Sequence, residues 1–195
     1  MKCMKDAADS IEVSSGLPLK ERSTVLRGGL MLVVSAFDFL VHEIVRIEIL
    51  HRVKCNSPDI SIKLPYSCFI QSSDGAEKEI DVYVRRVNSY KSFVGSSSIK
   101  ECFNSISINI WQEVEKSSGR DAKKTKKRLD DIWKWRNRIA HEGDMVPSNM
   151  TFSYWPIYKD DVIEACDFLK DLAYDLLNTV RSLSSSQTDP PRPSG

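Results

Sequence analysis

The chain is short of histidine, of net charge and of uninterrupted apolar runs, and each shortage narrows what it can be. Three histidines and five scattered cysteines (Cys3, Cys55, Cys68, Cys102, Cys166) show neither CxxC nor Cys/His ligand spacing, so no zinc site, and no metal or cofactor of another kind, is expected. An odd number of widely spaced cysteines suits reduced thiols rather than a disulfide framework. Cys102 and Cys166 fall in apolar periodic stretches, where cysteine acts as a small hydrophobe. The 28 Lys+Arg nearly cancel the 27 Asp+Glu, which leaves no strong overall field to steer a partner. The most apolar stretch, Gly28 to Leu50, is broken by Asp38, His42, Glu43, Arg46 and Glu48, too many polar groups for an unassisted membrane span. The opening MKCMKDAADS lacks the apolar core of a secretory signal. A soluble, cytoplasmic protein with no membrane partner is the expectation.

What is present is helical periodicity. At 195 residues the chain can bury one substantial core, and a single domain over residues 18–183 is expected. Pro18 suits the first turn of a helix. From there to about Val53, Leu26, Leu30, Val33, Phe37, Leu40, Val41, Ile44 and Ile47 recur at spacings of three and four, which predicts one long amphipathic helix. Similar stripes predict a second helix from Ile99 to Glu115, a third from Asp121 to His141 and a fourth from Lys159 to Leu183. Residues 54–98, with Pro58, Pro65, a Ser-Ser-Asp-Gly turn and the alternating run Ile80 to Val84, form an irregular insertion that suits either a short helix or a hairpin. Residues 1–17 read as a loose start and 184–195 as a disordered tail. The fold class is therefore all-α: a bundle of four main helices with a variable insertion after the first.

Chemistry concentrates in one stretch, WKWRNRIAHEGD, from Trp133 to Asp144. Gly143 is a natural C-cap, which puts His141 in the last turn of the third helix. Asn137, four residues before His141, shares its face, whereas Arg136 lies five before it and about 140° away. The partial negative charge at a helix C-terminus favours imidazolium, so a histidine there is placed to exchange protons. An imidazole beside a guanidinium suits RNA cleavage by internal transesterification, which needs proton transfer at the 2′-hydroxyl or leaving oxygen and stabilisation of phosphoryl charge, without a metal. A guanidinium binds phosphate through paired hydrogen bonds, and Asn137 can orient imidazole or ribose. The bland alternative is that basic residues simply gather in a last helical turn. Spacing alone is weak: Arg46 and His51 form a second such pair, without the amide or the glycine, and read as solvated helix surface. Trp133 and Trp135, two apart, point to different faces, so at most one belongs to the core; an exposed Trp135 could stack on a base or pack at an interface.

RNRIAH resembles the Arg-polar-x-x-x-His signature of the HEPN superfamily, all-α domains that include many metal-independent ribonucleases. The segment RGGLMLVVSAFDFLVHEIVR (Arg27 to Arg46) resembles the first core helix of the RiboL-PSP-HEPN branch. RNRIAHEGDMVPSN and the WPIYKDDVIEACDFLKDLAYDLL that follows it continue the likeness, which runs from Pro18 to Leu183 with 54–98 poorly matched. The resemblance implies that Arg136 and His141 are the catalytic pair, with Asn137 the polar residue after the arginine. It further implies a homodimer with a composite site, cleavage to 2′,3′-cyclic phosphate and 5′-hydroxyl ends, and a place as the toxin or effector of a defence or toxin-antitoxin system.

Asp38 and His42, four apart in the first helix, are candidate supporting residues, since some branches place a polar residue from an earlier helix near the site. A charge on the buried side of that helix needs a partner; Arg136 is one candidate for Asp38, and a purely structural pairing with a core basic group is as good a reading. From Arg120 to Arg138, nine basic residues face three acidic ones, and Lys123, Lys124, Lys126, Lys127, Arg128, Lys134 and Arg138 are candidate RNA contacts, though a lysine run is also ordinary exposed-helix chemistry. The last helix carries Asp160, Asp161, Glu164, Asp167, Asp171 and Asp175, a face suited to a basic antitoxin or another partner protein rather than to nucleic acid. A non-catalytic module of the same fold, binding a nucleotide or a protein, is the competing function, and a plain helical scaffold the third.

Overall fold

A computed structural model describes residues 18–55, 61, 63, 64, 73–147 and 153–187. Among them six helices are found: α1 (Leu19–Lys54), α2 (Ser73–Asn88), α3 (Ser96–Asn104), α4 (Ile110–Ser118), α5 (Ala122–Glu142) and α6 (Lys159–Gln187). The described residues hold no strand, only one isolated antiparallel bridge between Met145 and Tyr154. The all-α expectation is met.

The chain divides into two compact units, residues 1–39, 94–96 and 123–173 in one and residues 40–93, 97–122 and 174–195 in the other. The first unit buries Leu26, Leu30, Val33 and Phe37 of α1 together with Leu129 and Ile132 of α5 and Val162, Leu169 and Leu172 of α6. The second buries Val41, Ile44 and Ile49, Ile80 and Val84 of α2, Phe103, Ile106 and Ile110, and Leu176. The apolar stripes read from the sequence are largely the buried faces, with the exception of Ile47 of α1, which is 56% exposed. Part of α1 is long and apolar enough to cross a membrane, yet its stripe lies buried within the protein's own core.

Two sequence expectations need correction, and an alternative left open is decided. The predicted second helix is two, α3 and α4, separated at Ser105 to Asn109, where Ser107 takes a φ of 56°. On one continuous helix Ile108 would point away from Ile106 and Ile110; the break lets all three be buried. α4 then stops at Gly119, whose φ of 72° suits glycine and whose N–H bonds to the Glu115 carbonyl at 3.0 Å. The insertion contains a real helix, α2, so the alternating run Ile80 to Val84 is helical, with Ile80 and Val84 on one face. The last helix continues through Ser184 and Ser185 to Gln187, beyond the predicted start of the tail. Both hydroxyls donate to carbonyls four residues back, and Ser184 also donates to Glu48 Oε2 at 2.7 Å. Residues 1–17 and 188–195, expected to be loose, lie outside the described residues.

Candidate active site

α5 is helical without interruption through Glu142. It ends where the sequence said it would: Gly143 has φ 59°, and Asp144 follows with φ 57°. The Asp144 N–H donates to the Arg138 carbonyl at 3.1 Å, and Met145 N–H to the Glu142 carbonyl at 3.2 Å. His141 thus stands exposed in the last turn.

Along one side of that turn lies an open hollow of about 550 Å³, bordered by Asp131, Lys134, Trp135, Asn137, Arg138, His141 and Glu142. These positions recur at three and four, so one helix face builds the whole border. Arg136 is not on it. Because α5 stays regular, the side chains of Arg136 and His141 leave on different faces, and among the described residues no hydrogen bond joins them. Arg136 Nη1 donates instead to Asn137 Oδ1 at 3.1 Å.

Below the turn sits a cluster of charges. Asp144 is completely buried. One of its oxygens accepts from Arg138 Nε at 2.5 Å and the other from Arg27 Nε, on α1, at 2.7 Å. Arg27 Nη2 also donates to the Trp155 carbonyl at 2.6 Å, and the Trp155 N–H donates to the Asp144 carbonyl at 2.9 Å. The two guanidiniums lie over aromatic rings, Arg138 over Trp155 at 5.1 Å and Arg27 over Tyr154 at 5.2 Å. A buried carboxylate with two charge-assisted donors is a satisfied ion triad. It fixes the helix end that carries His141 to α1 on one side and to the chain entering α6 on the other. This latch escaped sequence reading: neither Asp144 nor Arg27 is singled out there, and Arg138 is read as a candidate RNA contact.

The profile of the RiboL-PSP-HEPN family matches residues 2–181. The chain belongs to that family. Curated proteins and solved structures give no match. In this HEPN domain, then, the Arg-polar-x-x-x-His signature occupies an intact helix end with its histidine facing solvent and its arginine facing elsewhere.

The other predicted residues distribute unevenly around the HEPN motif. Lys134 and Arg138 share the hollow with His141, although Arg138 is committed to Asp144 and Trp155. Lys123, Lys124, Lys127 and Arg128 are exposed, with Lys126 half-buried, along the first half of α5; Arg128 lies 3.6 Å from Glu164 of the acidic last helix. Asp38 is half-buried in the same unit as the motif. His42 belongs to the second unit, where its ring stacks on Phe93 at 4.3 Å and its Nε2 meets the Lys91 carbonyl at 3.2 Å. Trp135 is half-buried and Trp133 is exposed, so neither joins the core.

The decoy pair is corrected too. Arg46 is not solvated surface: its guanidinium binds Glu43 at 2.8 Å and Asp81 of α2 at 2.7 Å, and Arg85 also reaches Glu43 at 3.0 Å. Burial opposes ionisation of Glu43, but the hydrogen bonds and charges of Arg46 and Arg85 outweigh it and hold the carboxyl below its ordinary value. His51 sits apart, 3.8 Å from the Cys55 sulfur.

Proposed function

We propose that this HEPN protein is a metal-independent endoribonuclease. The observation that carries the reading is His141, exposed at the end of α5 on an open hollow that also offers Asn137 and Lys134. In the reaction, the ribose 2′-oxygen bonds to phosphorus as the bond to the 5′-oxygen breaks. The proton of the 2′-hydroxyl passes to a base and another reaches the departing oxygen, leaving a 2′,3′-cyclic phosphate and a 5′-hydroxyl. An imidazole serves either transfer, and a guanidinium offsets the extra charge on the phosphoryl oxygens.

Arg136 cannot play that part for the His141 of its own helix, since the two leave on different faces. We therefore place the reaction in a homodimer whose two motifs face one another, with the Arg136 of one copy serving the His141 of the other. Trp133, 38% exposed beside the motif, supplies apolar surface of the kind such an interface buries. The setting, by family resemblance, is a bacterial toxin-antitoxin or antiviral module whose antitoxin or sensor is a separate protein.

The test is incubation of the wild type and His141→Ala with total RNA in excess EDTA, followed by end-group analysis. Cyclic phosphate ends from the wild type alone are expected. Intact RNA in both samples, with retained nucleotide or protein binding, would replace the enzyme by a non-catalytic HEPN module.

A further inference from the structure

A second hollow, of about 560 Å³, opens on the other side of the latch, between Ser23, Thr24 and Arg27 of α1 and the Tyr154-Trp155-Pro156 segment. Its chemistry differs from that of the His141 hollow: aromatic faces, two hydroxyls and a guanidinium. Tyr154 is 59% exposed and Trp155 39%, large aromatic surface left open to water beside a site proposed to handle RNA. Each ring carries an arginine over one face, so a base entering the hollow would join a guanidinium already placed against the aromatic surface. Arg138 borders the first hollow while lying over Trp155, which borders the second, so the two hollows meet at one stacked pair. The backbone that carries the rings is also held in place, because the Trp155 main-chain N–H and carbonyl are both bonded and Tyr154 lies in the bridge to Met145.

We infer that this second hollow takes an unpaired nucleobase of the RNA chain whose backbone crosses the His141 hollow. The substrate class is then single-stranded RNA, because a base inside a duplex has both faces stacked on its neighbours. A rigid aromatic with a guanidinium beside it is the usual way to hold bases without reading their edges. The inference rests on the ribonuclease reading only in making the bound strand a substrate.

The test measures binding of a short, fluorescently labelled single-stranded all-2′-deoxy oligonucleotide, which cannot be cleaved, together with KM and kcat on the matching RNA. Tyr154→Leu and Trp155→Leu should each weaken binding by about tenfold and raise KM by a similar factor with kcat little changed, while Tyr154→Phe and Trp155→Phe bind as the wild type does. The same sequence as a duplex should bind far more weakly. Melting curves identify variants that fold; Tyr154→Leu leads because the bridge at that residue is made by backbone. Leucine variants that fold and bind normally, or a duplex bound equally well, would overturn the proposal. So would a mononucleotide that competes as strongly as the oligomer, since that would make the hollow a free-nucleotide site. If cleavage depends on His141 but not on the rings, the base site alone falls. If no RNA is cut yet binding depends on the rings, the ribonuclease reading alone falls.

Discussion

Replacing Asp144 by asparagine removes one charge from the centre of the latch and little else. Asparagine is nearly isosteric and tolerates the left-handed backbone that Asp144 adopts at φ 57°. What changes is the acceptor: a carboxylate shared by two guanidiniums becomes an amide with a single oxygen, so one of the two charge-assisted bonds is lost and the other becomes a bond to a neutral group. Arg138, whose side chain is 33% exposed, can recover water; Arg27, at 13%, recovers little and bears most of the cost. A hydrogen bond to a charged group contributes about 1.5–3 kcal/mol, so allowing for rehydration of Arg138 a loss of about 2 kcal/mol is expected. For a chain of this length that lowers Tm by roughly 4–8 °C. Asp144→Ala should cost about 1 kcal/mol more, from the left-handed backbone alone. Differential scanning calorimetry measures both. In parallel, cleavage assayed well below either Tm should fall in Asp144→Asn, because the helix end carrying His141 loses its anchor. A variant that melts within about 1 °C of the wild type would refute the claim that the triad holds this end of the domain.

The other predictions concern thiols, pH, the second unit and dilution. Burial, with the neighbouring Asp167 charge, pushes the Cys166 thiol up to about 11, so at pH 8 iodoacetamide should label exposed Cys55 but spare Cys102 and Cys166 until denaturant is added, as read by peptide mass spectrometry. Glu43 has a lowered folded pKa, so its stabilisation is present above the unfolded carboxylate pKa and lost as pH falls through the folded one; Glu43→Gln should cost about 0.5–1 kcal/mol at pH 7, and the gap should close below about pH 4. The Glu48–Arg52 pair is almost wholly buried at 2.7 Å, and Glu48→Ala, which takes the carboxylate from a buried guanidinium, should cost about 3–5 kcal/mol in chemical denaturation; a loss under about 1 kcal/mol would mean that the pair is hydrated. If the site is built from two copies, activity per chain should fall on dilution as the dimer dissociates, and a constant specific activity down to the monomer would argue for a self-sufficient chain.

Periodicity exposed the helices and hid their interruptions. The stripes of α1, α5 and α6 are long enough for spacing to pick out most of the buried face unaided, Ile47 of α1 excepted, and their boundaries came within a few residues. Ile106, Ile108 and Ile110 misled because two of the three also fit a continuous helix; only the demand that Ile108 be buried requires the turn at Ser107. The helix α2 was ambiguous because Ile80, Val82 and Val84 alternate like a strand while Ile80 and Val84 also fit a helix face. At the candidate site, the position of His141 in the last turn and the angular separation of Arg136 followed from helix geometry and a glycine. Asp144, Arg27 and Trp155 did not, since their partnership joins residues 117 and 128 apart and no local pattern encodes it. An aspartate directly after a capping glycine was the one hint in the sequence, and its burial is seen only in the structure.

The span of that latch bears on when the protein becomes able to act. Arg27 leaves the ribosome 117 residues before Asp144 and 128 before Trp155, so this ion triad closes by a contact of high sequence separation, the kind formed late because the intervening chain must first be ordered. A nascent or truncated chain ending between His141 and Trp155 carries the whole HEPN signature yet lacks the aromatic segment that ties its helix end to α1. If the protein is a toxin, its own synthesis therefore contains a delay, and messages cut short within that interval yield a product with the motif but without its anchorage.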